Sequence, residues 1–192
     1  MSKNRLEAFS DGVLAIIITI MVLELKAPPA GDFQALKPLF PALGSYLLSF
    51  IFIGIYWNNH HHLLQTVECV NGVILWANLH LLFWISLIPF ATAWTGASGF
   101  GAHAVAFYGV VLLFAGAAYF ILTQALVRYH GADSKLAMAV GKDVKGGVSV
   151  LTYAIAIPIA LWNPLIGYAL YILVALIWLI PDSRMERVNR CE

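Results

Sequence analysis

Three long stretches of this chain contain no Asp, Glu, Lys or Arg: those lying between Lys37 and Glu68, between Glu68 and Arg128, and between Lys145 and Asp182. A soluble domain carries roughly 25% charged residues, distributed along its length. Runs this long without charge suit a solvent that does not reward charge, the hydrocarbon of a bilayer. A helix rising 1.5 Å per residue needs about 20 apolar residues to cross a core of roughly 30 Å. The three deserts hold at least five such segments, and Arg5–Lys26, RLEAFSDGVLAIIITIMVLELK, adds another at the N-terminal end. With 61% hydrophobic and 11% charged residues, the chain reads as an all-α integral membrane protein, and a net charge of +1 gives no reason to expect nucleic acid as a partner.

The expected organisation is a single six-helix domain over 1-192, with spans at about 5-26, 39-64, 72-94, 104-127, 147-162 and 164-181. The prolines and glycine of APPAGDFQALK stop the first span. The last desert is divided at Trp162-Asn163-Pro164, a turn signal near its middle. RYHGADSKLAMAVGKDVK, the one long polar segment, is placed in water. The first span has an acidic residue in its core and no small-residue cleavage site before Pro28-Pro29, so it reads as a helix of the mature chain rather than a signal peptide. Pro89 and Pro158 are expected to kink their helices. Cys69 and Cys191 lie far apart in sequence, near expected cytoplasmic ends, where a structural disulfide is not anticipated.

Basic residues set the orientation. With six spans and the N-terminus inside, Lys3, Arg5, Arg128, Lys135, Lys142, Lys145, Arg184, Arg187 and Arg190 fall on the cytoplasmic side, and only Lys26 and Lys37 fall outside. Both termini are therefore expected in the cytoplasm.

The first span is unusually polar for a membrane helix, with Glu7, Ser10, Asp11, Thr19 and Glu24 set among Ile, Leu, Val and Met. An ionisable side chain at membrane depth is costly unless paired or hydrated, which makes Asp11 a functional candidate. At helical spacing Phe9, Gly12, Ile16, Thr19, Ile20 and Leu23 share one stripe, and Ser10 and Asp11 point away from it. Such a stripe serves either for plain helix packing or, repeated about a symmetry axis, as stacked apolar rings lining a pore. At the depth of Asp11 the second span offers Trp57, Asn58, Asn59, His60, His61 and His62, and the third Asn78 and His80. These can form a hydrogen-bonded layer in which Ser10 and Asp11 accept from indole, amide and imidazole donors. Adjacent histidines point about 100° apart on a helix, so the three cannot face one partner. At least two of them suit the headgroup level. A metal site is disfavoured because two helical ligands need a spacing of four and no Cys or carboxylate stands beside the histidines. No nucleophile–base arrangement or phosphate-binding loop suggests an enzyme.

Taken together, Arg5-x-x-x-Phe9-Ser10-Asp11, Tyr56-Trp57-Asn58-Asn59-His60-His61, Asn78-Leu79, Pro89-Phe90-Ala91-Thr92 and Trp178-Leu179-Ile180-Pro181-Asp182 resemble the pattern of the prokaryotic relatives of transmembrane protein 175. That family of potassium channels has animal members in endosomes and lysosomes. The resemblance implies a homotetramer of six-span subunits with the first helix lining the pore. It places the hydrophobic constriction at Ile16, with Thr19, Ile20 and Leu23 beyond it. Arg5, Phe9, Ser10, Asp11, Trp57, His61 and Asn78 are expected to form a structural polar network. The expected function is a potassium-permeable cation channel of a prokaryotic inner membrane, with no cofactor, no resident metal, and permeant K+ passing transiently near Thr19. Its partners are expected to be further copies of itself, membrane lipid and monovalent cations. The alternative is a proton-coupled secondary transporter using Asp11, and a third reading is a scaffold that transports nothing.

Overall fold

The computed structural model describes residues 3–28, 31–67, 69–131, 133–141 and 143–179. Ile180, Pro181, Asp182, Arg184, Arg187, Arg190 and Cys191, like Lys142, lie outside them. The described residues form eight α-helices and one 3-10 segment, with no strand: α1 Lys3–Leu23, the 3-10 turn Phe33–Leu39, α2 Phe40–Gln65, α3 Gly72–Ser86, α4 Ile88–Ala97, α5 Ala102–His130, α6 Lys135–Val140, α7 Val144–Trp162 and α8 Pro164–Leu179. Five candidate membrane spans result, because α3 and α4 together make one; α8, with 16 described residues, is a shorter apolar helix.

Local chemistry explains the boundaries. Asp32 caps the 3-10 turn by accepting from the Ala35 amide at 3.0 Å, and Pro41 opens α2, where a missing N–H costs nothing. Asn71 caps α3 through the Ile74 amide at 3.0 Å. Pro89 lacks the N–H that would continue the α3 ladder, and the chain turns at Leu87 before α4 resumes. Pro158, by contrast, lies within an α7 assigned as continuous helix. Asn163 takes an extended conformation between α7 and α8, and Pro164 begins the latter. The segment around residue 135 is not simply an aqueous loop: Ser134 caps α6 through Ala137, and Leu136 is buried in the core.

α5 lies at the centre, against α3, α4, α7 and α8. Half of its most apolar window is buried, against 28% for α1, 28% for the span containing α2 and 22% for α7, so α1 is one of three less buried spans around it. Lipid offers no hydrophobic drive for helices to associate, and close backbone approach and buried hydrogen bonds take its place. Ser49 bonds both the Thr92 hydroxyl, at 2.6 Å, and the Tyr108 hydroxyl, at 2.8 Å, tying α2 to α4 and α5. Tyr171 donates to the Val105 carbonyl at 3.2 Å, tying α8 to α5. Gly109 and Gly167 are the small residues that permit this packing: a Cβ at 109 would strike the Tyr171 ring, and one at 167 would come within 2.6 Å of Ala160 Cβ.

Candidate functional site

α1 has two faces. Leu6, Ser10, Leu14, Ile17 and Met21 are buried against the subunit's own α2, α3 and α4. On the other side Phe9 (54% exposed), Ile16 (58%), Ile20 (43%) and Leu23 (78%) are uncovered, and Thr19 is exposed among them. Thr19 donates its hydroxyl hydrogen to the Ile16 carbonyl at 2.8 Å, so the lone pairs of its oxygen remain for another partner. Beside the stripe runs an open groove of about 510 Å³, walled by Val13, Ile16, Ile17 and Ile20 of α1 and by Pro89 and Phe90.

Behind the stripe, polar side chains fix α1 to α2 and α3. Ser10 donates to the Leu6 carbonyl at 2.8 Å and accepts from Asn78 Nδ2 at 2.9 Å; the Asn78 carbonyl oxygen lies 2.8 Å from His60 Nε2. The direction of these bonds follows from the fixed end. A carbonyl only accepts, so Ser10 donates to it; Asn78 then donates to Ser10, its oxygen accepts, and His60 carries a hydrogen on Nε2. Ser10 and Asn78 have no exposed surface, and His60 is 2% exposed. A second connection is nearer the surface. The Trp57 indole donates to Asp11 Oδ1 at 3.0 Å. The Trp57 ring stacks on His61, whose Nδ1 lies 3.3 Å from Glu7 and whose Nε2 lies 2.8 Å from Gln65. Lys3 reaches the Leu64 carbonyl at 3.3 Å.

Of the seven residues grouped as one polar network, Ser10 and Asn78 meet in the buried chain, and Asp11 and Trp57 meet in the outer pair. His61 joins Glu7 rather than Asn78. Arg5 and Phe9 belong to neither set: both are exposed, and Arg5 makes no hydrogen bond among the described residues. The reason is helical phase, which at 100° per residue sets Arg5 and Phe9 in line with Ile16 and a quarter turn or more from Ser10. The residue missing from that grouping is His60. Its signal was present in the run of three histidines, one of which must face inward as the helix turns. Among the described residues no cluster of three or more His, Cys, Asp or Glu side chains is placed to hold a metal ion.

Long apolar helices, a buried polar layer between α1, α2 and α3 and an uncovered aliphatic face on the first helix define a multi-pass helical membrane protein. Residues 5–89 match the family described as "Endosomal/lysosomal potassium channel TMEM175". A potassium channel of Chryseobacterium sp. (strain P1-3) is 54% identical over 187 residues, covering 97% of each chain. One of Streptomyces collinus is 40% identical over 95 residues, 47% of this chain and 46% of that one. Among solved structures, the crystal structure of a lysosomal potassium-selective channel TMEM175 homologue from Chamaesiphon minutus superposes with a TM-score of 0.79 at 26% identity, over 93% of this chain and 96% of that one. The chain belongs to the TMEM175 family. Its relatives are named as ion channels, not as enzymes.

Proposed function

We propose that the chain is a potassium-permeable cation channel of a prokaryotic inner membrane, assembled as a homotetramer in which four copies of α1 surround the ion pathway. Each subunit crosses the membrane six times, with α8 as the last span and both termini in the cytoplasm. The observation that carries this reading is the one-sided burial of α1, which leaves Ile16, Ile20 and Leu23 uncovered in a single line with the Thr19 hydroxyl. The groove beside that line is the place where a neighbouring α1 fits.

In this arrangement four Ile16 side chains form the narrowest ring, and Ile20 and Leu23 form apolar collars beyond it. Apolar constrictions gate by dewetting, so no charged gate is required. An ion sheds part of its hydration shell to pass, and the outward lone pairs of Thr19 replace some of the lost water. Potassium gives up water more readily than sodium and passes more easily. Asp11, Trp57, Ser10 and Asn78 hold α1 at the angle that presents the stripe to the axis. A proton-carrying role for Asp11 is not favoured, because its carboxylate turns away from the stripe to accept from Trp57.

The test is the reversal potential of purified protein in planar bilayers under opposed potassium and proton gradients. A channel gives a reversal potential that follows the potassium gradient at every pH. A potential that shifts with the proton gradient in fixed stoichiometry contradicts the channel.

A further inference from the structure

A second cavity, of about 310 Å³, lies away from α1; it is lined by α2, α5, α7 and α8 and is open at the end where the exposed Asp143 stands. On α7 its lining runs from Asp143 to Tyr153, a depth of about 15 Å at the helical rise. It is graded along that length. Asn59 and Asp143 stand at one end, Ser149 lies between, and Phe52 and Tyr153 lie toward the other, with Phe120 and Trp178 in the walls. The volume is at the lower end of the roughly 300–1,000 Å³ typical of small-molecule sites.

The polar end has already spent hydrogens within the protein. Asn59 gives an amide hydrogen to the Ile55 carbonyl at 2.9 Å, Tyr119 gives its hydroxyl hydrogen to the Asn59 carbonyl at 3.3 Å, and Ser149 gives its own to the Lys145 carbonyl at 2.8 Å. Ser149 also accepts the Trp178 indole hydrogen at 2.8 Å. What remains is mainly acceptors: the Asn59 side-chain oxygen, the Tyr119 oxygen, and the Asp143 carboxylate. Asp143 caps α7 through Oδ1, which accepts from the Gly146 amide at 2.8 Å, and Oδ2 has no hydrogen bond among the described residues. Lys145, on the same turn, does not line the cavity. Deeper in, Tyr56 and Tyr153 line the space with hydroxyls that have no hydrogen-bond partner among the described residues, although Tyr153 is only 4% exposed. Acceptors around a carboxylate call for a cationic donor, and aromatic faces add cation–π attraction for the same group.

We propose that this cavity is a binding site for a small amphiphilic amine, its ammonium head held at Asp143 and its apolar body lying between the aromatic walls. The site is separate from the ion pathway. It has a route to that pathway, because Tyr56 and Asn59 of its lining are each followed in α2 by a residue that holds α1 in place: Trp57, bonded to Asp11, and His60, bonded to Asn78.

The test is calorimetric titration of the full chain in lipid nanodiscs with three probes of one shape: 4-phenylbutylamine, 4-phenylbutanol and 4-phenylbutyrate. Empty nanodiscs of the same lipid serve as the blank. The amine should saturate at one per chain, with the alcohol about tenfold weaker or more and the carboxylate weaker still, as expected for loss of a charge-assisted contact. Asp143→Asn, which keeps the helix cap, should bring the amine to the affinity of the alcohol. Gly147→Phe should abolish binding of both, because Gly147 lines the cavity and a Cβ there meets nothing within 4 Å. Repeating the amine titration with and without phosphatidylethanolamine separates the two sources of the ammonium. Competition by that lipid assigns the head to a lipid headgroup, and its absence assigns it to a free amine. Equal affinity of wild type for amine and alcohol, or amine binding unchanged in both variants, overturns the proposal.

Discussion

Ser10 and Asp11 are neighbours in sequence, yet burial gives them different energetic weight. Ser10 sits at zero exposure in a chain of donors running from His60 through Asn78 to the Leu6 carbonyl. Breaking that chain leaves a buried polar atom unpaired, which costs about 1–3 kcal/mol. Asp11 is half-buried, and its partner Trp57 is 46% exposed, so water can replace part of a lost bond. Asn78→Ala, which strands the buried His60 Nε2 while Ser10 keeps its bond to the Leu6 carbonyl, is therefore expected to lower the melting temperature in detergent more than Asp11→Ala does. Asp11→Asn keeps an acceptor for the indole and should melt close to wild type. Parallel thermal melts of the three variants check the ranking, and an Asp11→Ala protein less stable than Asn78→Ala contradicts it. The sequence made the membership of this layer only partly legible. Ser10, Asp11, Trp57 and Asn78 stand out as polar residues in apolar helices. Which of three consecutive histidines faces inward depends on the phase of α2 relative to α3, and no local pattern carries that information.

Helix packing is set by small residues at a few crossings. Gly167 begins the descent of α8 against α7, and a methyl there would lie 2.6 Å from Ala160 Cβ and 2.8 Å from its Cα, which is backbone that cannot swing aside. Gly167→Ala should therefore destabilise the subunit by about 1–3 kcal/mol, the usual cost of overpacking, despite the better helix propensity of alanine. Thermal unfolding followed by tryptophan fluorescence measures it, and a more stable variant would show that the two helices can separate without loss. The elements themselves were largely readable, because charge-free runs of membrane length leave helices as the available structure. The turn at Leu87, which hydropathy does not see, is the break expected of Pro89, because proline changes hydrogen bonding without changing hydrophobicity. One detail was not readable. α6 was hidden in a polar stretch, although Ser134 is a capping residue and Leu136 supplies its buried contact.

For the whole molecule, the uncovered face of α1 and the groove beside it are where assembly would cover aliphatic surface. A homotetramer predicts a native mass, after subtraction of detergent, of four times the 21.1 kDa of one chain. A monomer at all concentrations would remove the shared axis. The resemblance of short motifs to a channel family, and the line of Ile16, Thr19, Ile20 and Leu23, could be read from the sequence because helical periodicity is local. Subunit number and ion preference could not, because both depend on contacts between chains.

The most direct measurement is bilayer recording of wild type, Ile16→Ala and Ile16→Asn under potassium and sodium gradients. If four Ile16 side chains form the constriction, Ile16→Asn keeps the ring's size but wets it and should raise current at rest. Ile16→Ala should widen the ring, raise conductance and move the reversal potential toward equal permeability for the two ions. Variants that assemble normally yet leave both conductance and reversal potential unchanged would remove Ile16 from the ion pathway and contradict a pore lined by α1.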